Sequence, residues 1–353
     1  MKIVIPMAGM GKRLRPHTLV TPKPLIELAG KPIVQRLCED IREVVGEEIE
    51  EIGFIIGDFG KEAEDNLLNI AKQLGTKGKI YYQREPLGTA HAILCAKESL
   101  SGKVTVAFAD TLFDAGFTLE TKEDGIIWTH KVEDPSAFGV VKKNADQTIC
   151  GFVEKPKEFV SNEAIIGIYY FKDGENLRNE LQYLIDNNIT KSGEYQLTDA
   201  LQNMLDKGLK FKTNDVKEWL DCGNPAATVE TCGRVLELKT TERGCYELAE
   251  ELLDEYVIED NTLIIQPVYI GKGAVIKNCV IGPRVSIAEG CKISDSCIKD
   301  TMVGKQTVIE NVVLKNSMIG SFAKIENKEQ NLKPVGAPNF DKVNFENFGT
   351  LFP

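Results

Sequence analysis

Ile3-Val-Ile-Pro-Met-Ala-Gly-Met-Gly-Lys-Arg-Leu-Arg-Pro16 lies at the head of the chain, and Thr21-Pro-Lys-Pro-Leu25 follows shortly after. The opening apolar run reads as a buried parallel strand. It breaks into Gly9-Met10-Gly11, with Lys12, Arg13 and Arg15 directly behind it and Lys23 beyond. Glycines at a strand end let backbone N–H groups approach an anion, because no Cβ intervenes. Cations beside that loop suit a polyphosphate. A dinucleotide fingerprint would place a third glycine near position 14, where Leu14 stands, and would not require the cations.

Working outward, Lys31-Pro32 reads as a helix start, with Ile33, Leu37 and Ile41 at helical spacing. Glu47-Glu-Ile-Glu-Glu51 reads as a solvated face or loop. Residues 52–56 read as a second strand, 61–74 as an amphipathic helix and 79–82 as a third strand. This alternation predicts a parallel, doubly wound, Rossmann-like α/β sheet, with ligands at the carboxyl ends of its strands. Two motifs fall at such ends. Gln83-Arg-Glu-Pro-Leu-Gly-Thr-Ala90 leads into a helix through about Glu98, and Gln83 can offer both a donor and an acceptor. Val104-Thr-Val-Ala-Phe-Ala-Asp110 is an apolar strand ending in a carboxylate; alone, such an Asp is a turn former. His91 reads as a spectator on its helix.

The pair Gly9-x-Gly11-x-Arg13-Leu14-x-Pro16 and Thr21-Pro22-Lys23-Pro24-Leu25 resembles the signature of the sugar-1-phosphate nucleotidyltransferases. These are the NDP-sugar pyrophosphorylases, including glucose-1-phosphate thymidylyltransferases and uridylyltransferases. The resemblance implies transfer of a nucleotidyl group from dTTP or UTP to a sugar 1-phosphate, with glucose 1-phosphate the family default. It implies Mg2+ held by Asp110 and Asp221, the latter within Glu218-Trp-Leu-Asp221. Ala8, Gly9, Gly11, Lys12 and Arg13 would line the triphosphate; as catalytic residues beside Asp110, Arg13 would neutralise the leaving β,γ-phosphates and Lys23 would stabilise charge at the α-phosphate. Gln83 and Gly88 would meet the base. Gly139, Glu154 and Lys155 would hold the sugar phosphate, within Phe138-Gly-Val-Val141 and Phe152-Val-Glu-Lys-Pro156. Gly167, Tyr169 and Gln196 would border the sugar. By themselves, Glu154-Lys155-Pro156 is a surface turn, and Thr198-Asp199 are helix-start residues. Thr111 and Gln196 depart from common family residues, which leaves the sugar open to an amino sugar, mannose or heptose.

A different rhythm begins after about residue 258. Ile270, Ile276, Ile281, Ile287, Ile293, Ile298, Val303, Ile309, Leu314, Ile319 and Ile325 recur at spacings of five or six, and Gly271, Gly282, Gly304 and Gly320 each follow one of them. Such a repeat predicts a parallel β-helix with aliphatic residues inward. Resemblance to hexapeptide-repeat proteins makes it left-handed and places it at subunit contacts, so a homo-oligomer, dimer or tetramer, is expected. The expected organisation is a catalytic domain over 1–225, a helical linker over 226–258, the coil over 259–330 and a tail over 331–353.

Composition narrows the alternatives. The 353 residues are 42% hydrophobic and 27% charged, with a net charge of −11, against a nucleic-acid or membrane-surface partner. Within that acidic whole, residues 1–36 form a basic island. Nine scattered cysteines without a Cys-x-x-Cys pair argue against a zinc site or disulfide framework and for a reduced, cytoplasmic setting. The opening run is too short for a signal peptide, and no stretch approaches ~20 apolar residues. Acyltransferases built on such coils use a histidine near the coil, but no histidine follows His130. A silent regulatory relative would be expected to lose charged site residues, whereas Arg13, Lys23, Asp110, Lys155 and Asp221 are all present.

Overall fold

The computed structural model describes residues 1–120, 122–242, 257–258 and 261–327. They fall into two compact units. The first comprises Met1–Gly11, Pro22–Leu25 and Ile33–Leu220; the second comprises Lys12–Thr21, Ile26–Pro32 and the described chain from Asp221 onward.

In the first unit β1 (Lys2–Pro6) lies between β2 (Glu51–Ile56) and β4 (Val104–Ala107), with β3 (Lys77–Tyr82) beyond β2, all parallel. Burial on both faces explains the unbroken apolar run, for Ile3, Val4 and Ile5 are wholly buried. Helices α1 (Ile33–Val45), α2 (Lys61–Gln73) and α3 (Thr89–Cys95) make the crossovers. Ile33, Leu37 and Ile41 form the buried face of α1, as their spacing predicts.

Beyond Ala107 the sheet is not parallel. It contains β6 (Gly125–Lys131), β7 (Gly139–Lys143), β8 (Ile149–Glu154), β9 (Glu163–Phe171) and β10 (Phe211–Asp215), while β5 (Thr111–Asp114) and β11 (Glu218–Asp221) pair separately. Strand β9 runs antiparallel to β4, β6 and β7, and β8 antiparallel to β7; here only β10 on β6 is parallel. The expected all-parallel sheet is therefore mixed. The short loop 144–148 between β7 and β8 allows only antiparallel pairing, since a parallel return needs a crossover of roughly a dozen residues. Helices α4 (Gly174–Asp186) and α5 (Leu197–Asp206) pack Leu177, Leu181, Leu184, Leu201 and Met204 into the core shared with Phe171 and Phe211.

Two local readings change. Glu51 is not solvated: it begins β2, is 7% exposed, accepts from Ser99 Oγ at 2.5 Å and pairs with Lys79 Nζ at 2.9 Å. Helix α3 ends at Cys95 rather than near Glu98, because the Ala96 N–H turns back to the carbonyl of Ile93 and tightens the last turn.

The second unit contains α6 (Pro225–Glu242) and a coil of short parallel strands in two sheets, one of which bends across a corner to make a third face. Helix α6 buries Val229, Cys232, Val235 and Leu236. The helical stretch expected to reach 258 is interrupted, for the β-branched pair Val257–Ile258 forms a strand beside Val275–Ile276. Residues 243–256, 259–260 and the tail from 328, with its expected packing over the coil, lie outside the described residues.

Inside the coil the repeat reads directly as ladders. Ile276, Ile293, Ile309 and Ile325 stack on one side, Ile281, Ile298 and Leu314 on the second, and Ile270, Ile287, Val303 and Ile319 on the third. Left-handed residues turn the corners: Asn278, Asp295 and Asn311 at φ 53, 49 and 57°, with Asn278 Nδ2 donating to Asp295 Oδ1 at 2.5 Å. The alternation of five and six is corner length. Gly282-Pro283-Arg284 separates Ile281 from Val285, whereas only Lys299-Asp300 separates Ile298 from Thr301. Gly282 is required: at φ 109° a Cβ would stand 1.8 Å from the Ile265 carbonyl oxygen. The unit also carries Ile26–Pro32 on the coil, where Lys305 Nζ pairs with Glu27 at 3.0 Å and Glu289 at 3.2 Å.

Candidate active site

In the first unit, the chain leaves β1 through Met7, whose N–H bonds to Ile55 O at 2.8 Å, and reaches Ala8 and Gly9. A Cβ at Gly9 would meet nothing within 4 Å, so the loop is open on that side. Lys23 begins a short 3-10 turn, Lys23–Leu25, and is 9% exposed. Its Nζ sits 2.9 Å from Asp110 Oδ2, although the two are 87 residues apart in sequence. Asp110 stands in the loop between β4 and β5, past the strand end at Ala107, and its side chain is 43% exposed. An ammonium buried to this degree needs such a partner.

The Gln83 loop is tied at several points. The Gln83 N–H bonds to Ile56 O at 2.9 Å, and its Nε2 donates to Gly88 O at 3.1 Å. The same Nε2 lies 3.3 Å from His91 Nδ1, so His91, read as a spectator on its helix, touches the Gln83 loop. Gly88 has φ 111°, and a Cβ there would stand 2.5 Å from Tyr195 O and 2.7 Å from Tyr195 N. Tyr195 N–H bonds to Leu87 O at 2.8 Å, Ala90 N–H to Tyr195 O at 3.0 Å, and Leu197 N–H to Thr89 Oγ1 at 3.0 Å. The loop expected to read the base and the segment expected to border the sugar are thus laced together. Gln196 is the N-cap residue of α5 without a side-chain cap bond; its Nε2 donates to Glu194 Oε2 at 3.2 Å.

On the antiparallel side, a Cβ at Gly139 would come 2.9 Å from Glu154 Oε2, so this glycine clears room beside the carboxylate. Glu154 closes β8 opposite Gly139. Lys155 N–H bonds to Phe138 O at 3.0 Å, and its side chain is exposed. Gly167, at φ 86°, accepts from Phe108 N–H at 3.0 Å, and the Phe108 ring meets Tyr169 edge-on at 6.3 Å. Burial, and then the charge of Glu154, push the Tyr169 phenol above its ordinary range, so it stays a neutral donor. Phe138 packs on Trp219 with ring centroids 5.0 Å apart, and the Trp219 indole N–H is buried with no partner among the described residues.

Gly11 belongs to the first unit at φ 57°, whereas Lys12, Arg13 and Asp221 belong to the second. Lys12 and Arg13 are exposed on the 3-10 turn Lys12–Leu14. Asp221 ends β11; its Oδ1 accepts from Gly223 N–H at 2.9 Å, and a Cβ at Gly223 would crowd both carboxylate oxygens at 3.0 Å. Sequence reading missed His91, Tyr195, Phe108 and the pairing of Phe138 with Trp219. Tyr195 stood inside the segment 192–199, but its backbone role carries no side-chain signature.

A divalent cation fits part of this set. No group of three or more His, Cys, Asp or Glu gathers among the described residues. Mg2+ needs no such group, since one or two carboxylates plus substrate phosphates hold it. Asp110 supplies a half-exposed carboxylate that already accepts a cation, the Lys23 ammonium. No disulfide joins the eight described cysteines, and no described helix is long and apolar enough to cross a membrane.

The family model for nucleotidyl transferases matches residues 2–237. A glucose-1-phosphate thymidylyltransferase of Streptomyces antibioticus is 30% identical over 337 residues, covering 91% of this chain and 92% of that protein. The bifunctional protein GlmU of Methanococcus maripaludis is 29% identical over 334 residues, covering 84% and 77%. Among solved structures, the nucleoside-diphosphate-sugar pyrophosphorylase of Vibrio cholerae RC9 aligns at a TM-score of 0.57 and 21% identity, covering 65% of this chain and 99% of that one. This last likeness is one of fold.

Proposed function

The chain belongs to the nucleotidyl transferase family and is a sugar nucleotidyltransferase; on that premise we propose that it joins dTTP or UTP to glucose 1-phosphate and releases pyrophosphate. The observation that supports this most is the Lys23–Asp110 pair, because the lysine of the Thr21–Leu25 motif meets there, at 2.9 Å, the carboxylate that ends the Val104–Asp110 stretch. A sugar-phosphate oxygen attacks the α-phosphorus in line, and pyrophosphate leaves opposite. Both reactants are anions, so positioning and charge neutralisation do most of the work.

Lys23 is buried and fixed, and on release from Asp110 its ammonium neutralises charge at the α-phosphate. Asp110 would hold Mg2+, and the ion would supply charge neutralisation at the nucleotide phosphates. Gln83 and Gly88 take the base. Gly139 leaves backbone-close space for the hexose, Glu154 accepts from its hydroxyls, and Tyr169 donates as a neutral phenol. Lys155, exposed at its strand end, takes the sugar phosphate. The parts proposed for Lys12, Arg13 and Asp221 rest on the motif resemblance alone.

The test is pyrophosphate release with Mg2+ across nucleoside triphosphates and a panel of hexose and aminohexose 1-phosphates. Release that requires both a pyrimidine triphosphate and glucose 1-phosphate is expected. Release with a different sugar phosphate would correct the acceptor, and silence across the panel from folded protein would overturn the assignment.

A further inference from the structure

Gln83 can present either end of its amide to a bound base, and the two ends select opposite partners. The structure fixes the choice. The Gly88 carbonyl only accepts, so the amide group 3.1 Å away must be the NH2 and not the oxygen. That nitrogen has a second hydrogen, and His91 Nδ1 lies 3.3 Å from it. A neutral imidazole protonated on Nε2 presents Nδ1 as an acceptor. Both amide hydrogens are then engaged within the protein. The polar atom that Gln83 has left for a ligand is Oε1, which only accepts.

We infer that His91 is a positioning residue for nucleotide choice: with Gly88 O it occupies both hydrogens of the Gln83 amide and makes Gln83 an acceptor-only reader of the base. This rests on the proposed nucleotidyl transfer, in which Gln83 meets the base. A lone acceptor pairs with a ring N–H, as in the imide of uracil and thymine or the N1–H of guanine. It faces lone pair to lone pair against N3 of cytosine or N1 of adenine, and leaves both acceptors unpaired on desolvation. The imidazole is set by the chain itself: His91 is the third residue of α3, and Ala90 N–H on Tyr195 O anchors that first turn.

Equilibrium titration of UTP and CTP into the full chain reads the effect without turnover. Wild type should favour UTP. His91→Leu, which offers no acceptor, frees one amide hydrogen and should shrink the UTP-over-CTP ratio about tenfold, the scale of one hydrogen bond. CTP binding should strengthen in that variant. His91→Gln keeps an acceptor and should restore the ratio to within about threefold of wild type, while the KM for sugar phosphate stays unchanged in both. An unchanged ratio in His91→Leu, or equal loss of both nucleotides, overturns the inference and leaves the reaction standing. UTP selectivity that collapses in His91→Leu, from a chain that releases no pyrophosphate with any sugar phosphate, sinks the reaction and keeps the inference. A folded wild type that binds neither nucleotide overturns both.

Discussion

Gly88→Ala tests whether the loop proposed to read the base and the segment proposed to border the sugar act as one piece. Gly88 has φ 111° and ψ 178°, a region open essentially only to glycine, and forcing alanine into it costs about 1–3 kcal/mol. The new Cβ would also stand 2.5 Å from Tyr195 O and 2.7 Å from Tyr195 N. Both are backbone atoms, so no rotamer change relieves the clash. Tyr195 is held there by bonds to Leu87 O and from Ala90 N–H, each worth about 1 kcal/mol. The loop must move or those bonds must stretch, for a total of about 2–5 kcal/mol. Calorimetric unfolding and UTP titration on the same preparation separate the two routes. If the segment holds, stability falls by the full amount; if the loop gives way, stability falls less and UTP affinity drops, by about thirtyfold for each 2 kcal/mol diverted. A variant within about 0.5 kcal/mol of wild type and with unchanged UTP affinity would refute the reasoning.

Other expectations separate fold from function. Gly9→Ala should leave thermal stability unchanged, since nothing lies within 4 Å of the new methyl, while raising the KM for triphosphate if backbone there approaches phosphate; lower stability would contradict the open geometry. Asp110→Asn should abolish Mg2+-dependent turnover with a native circular dichroism spectrum, and near-normal turnover would remove Asp110 from the mechanism. Lys23→Ala should lower kcat by ~100-fold or more, the scale of a lost transition-state donor. It should also tighten Mn2+ binding, measured by spin resonance, because the ammonium no longer occupies Asp110 Oδ2; weaker Mn2+ binding would argue against that competition. Gly282→Ala should destabilise the coil by more than about 3 kcal/mol in urea unfolding, given a Cβ at 1.8 Å from Ile265 O; a neutral result would mean the corner opens freely.

Local regularity explains what could be read in advance. The strand Lys2–Pro6, helix Ile33–Val45 and the ladders of the coil all announce themselves through apolar period, and they stand where that period puts them. The antiparallel half of the sheet was illegible because strand direction follows from connections and partners, not from a strand's own residues. Glu51 misled for a similar reason: a glutamate in an acidic run looks solvated until Ser99 and Lys79, far along the chain, arrive to neutralise it. At the site, side chains with chemical character were visible as motifs, and the approach of Lys23 to Asp110 joins two of them. His91 and Tyr195 were not, because what they contribute is a lone pair and a carbonyl aimed at a neighbour.

The corners of the coil bear on how this chain can change length. Every residue on a coil strand is committed to facing in or out, so an insertion or deletion within a strand reverses all positions that follow until the next turn. The exchange of Gly282-Pro283-Arg284 for Lys299-Asp300 removes one residue at a corner, and the ladders of isoleucine on either side continue in register. Corners therefore work as expansion joints. Among descendants of this gene, single-residue gaps in the coil should accumulate at 282–284, 299–300 and 315–316, and whole turns should be gained or lost between them, while the strands themselves admit substitution but not indels.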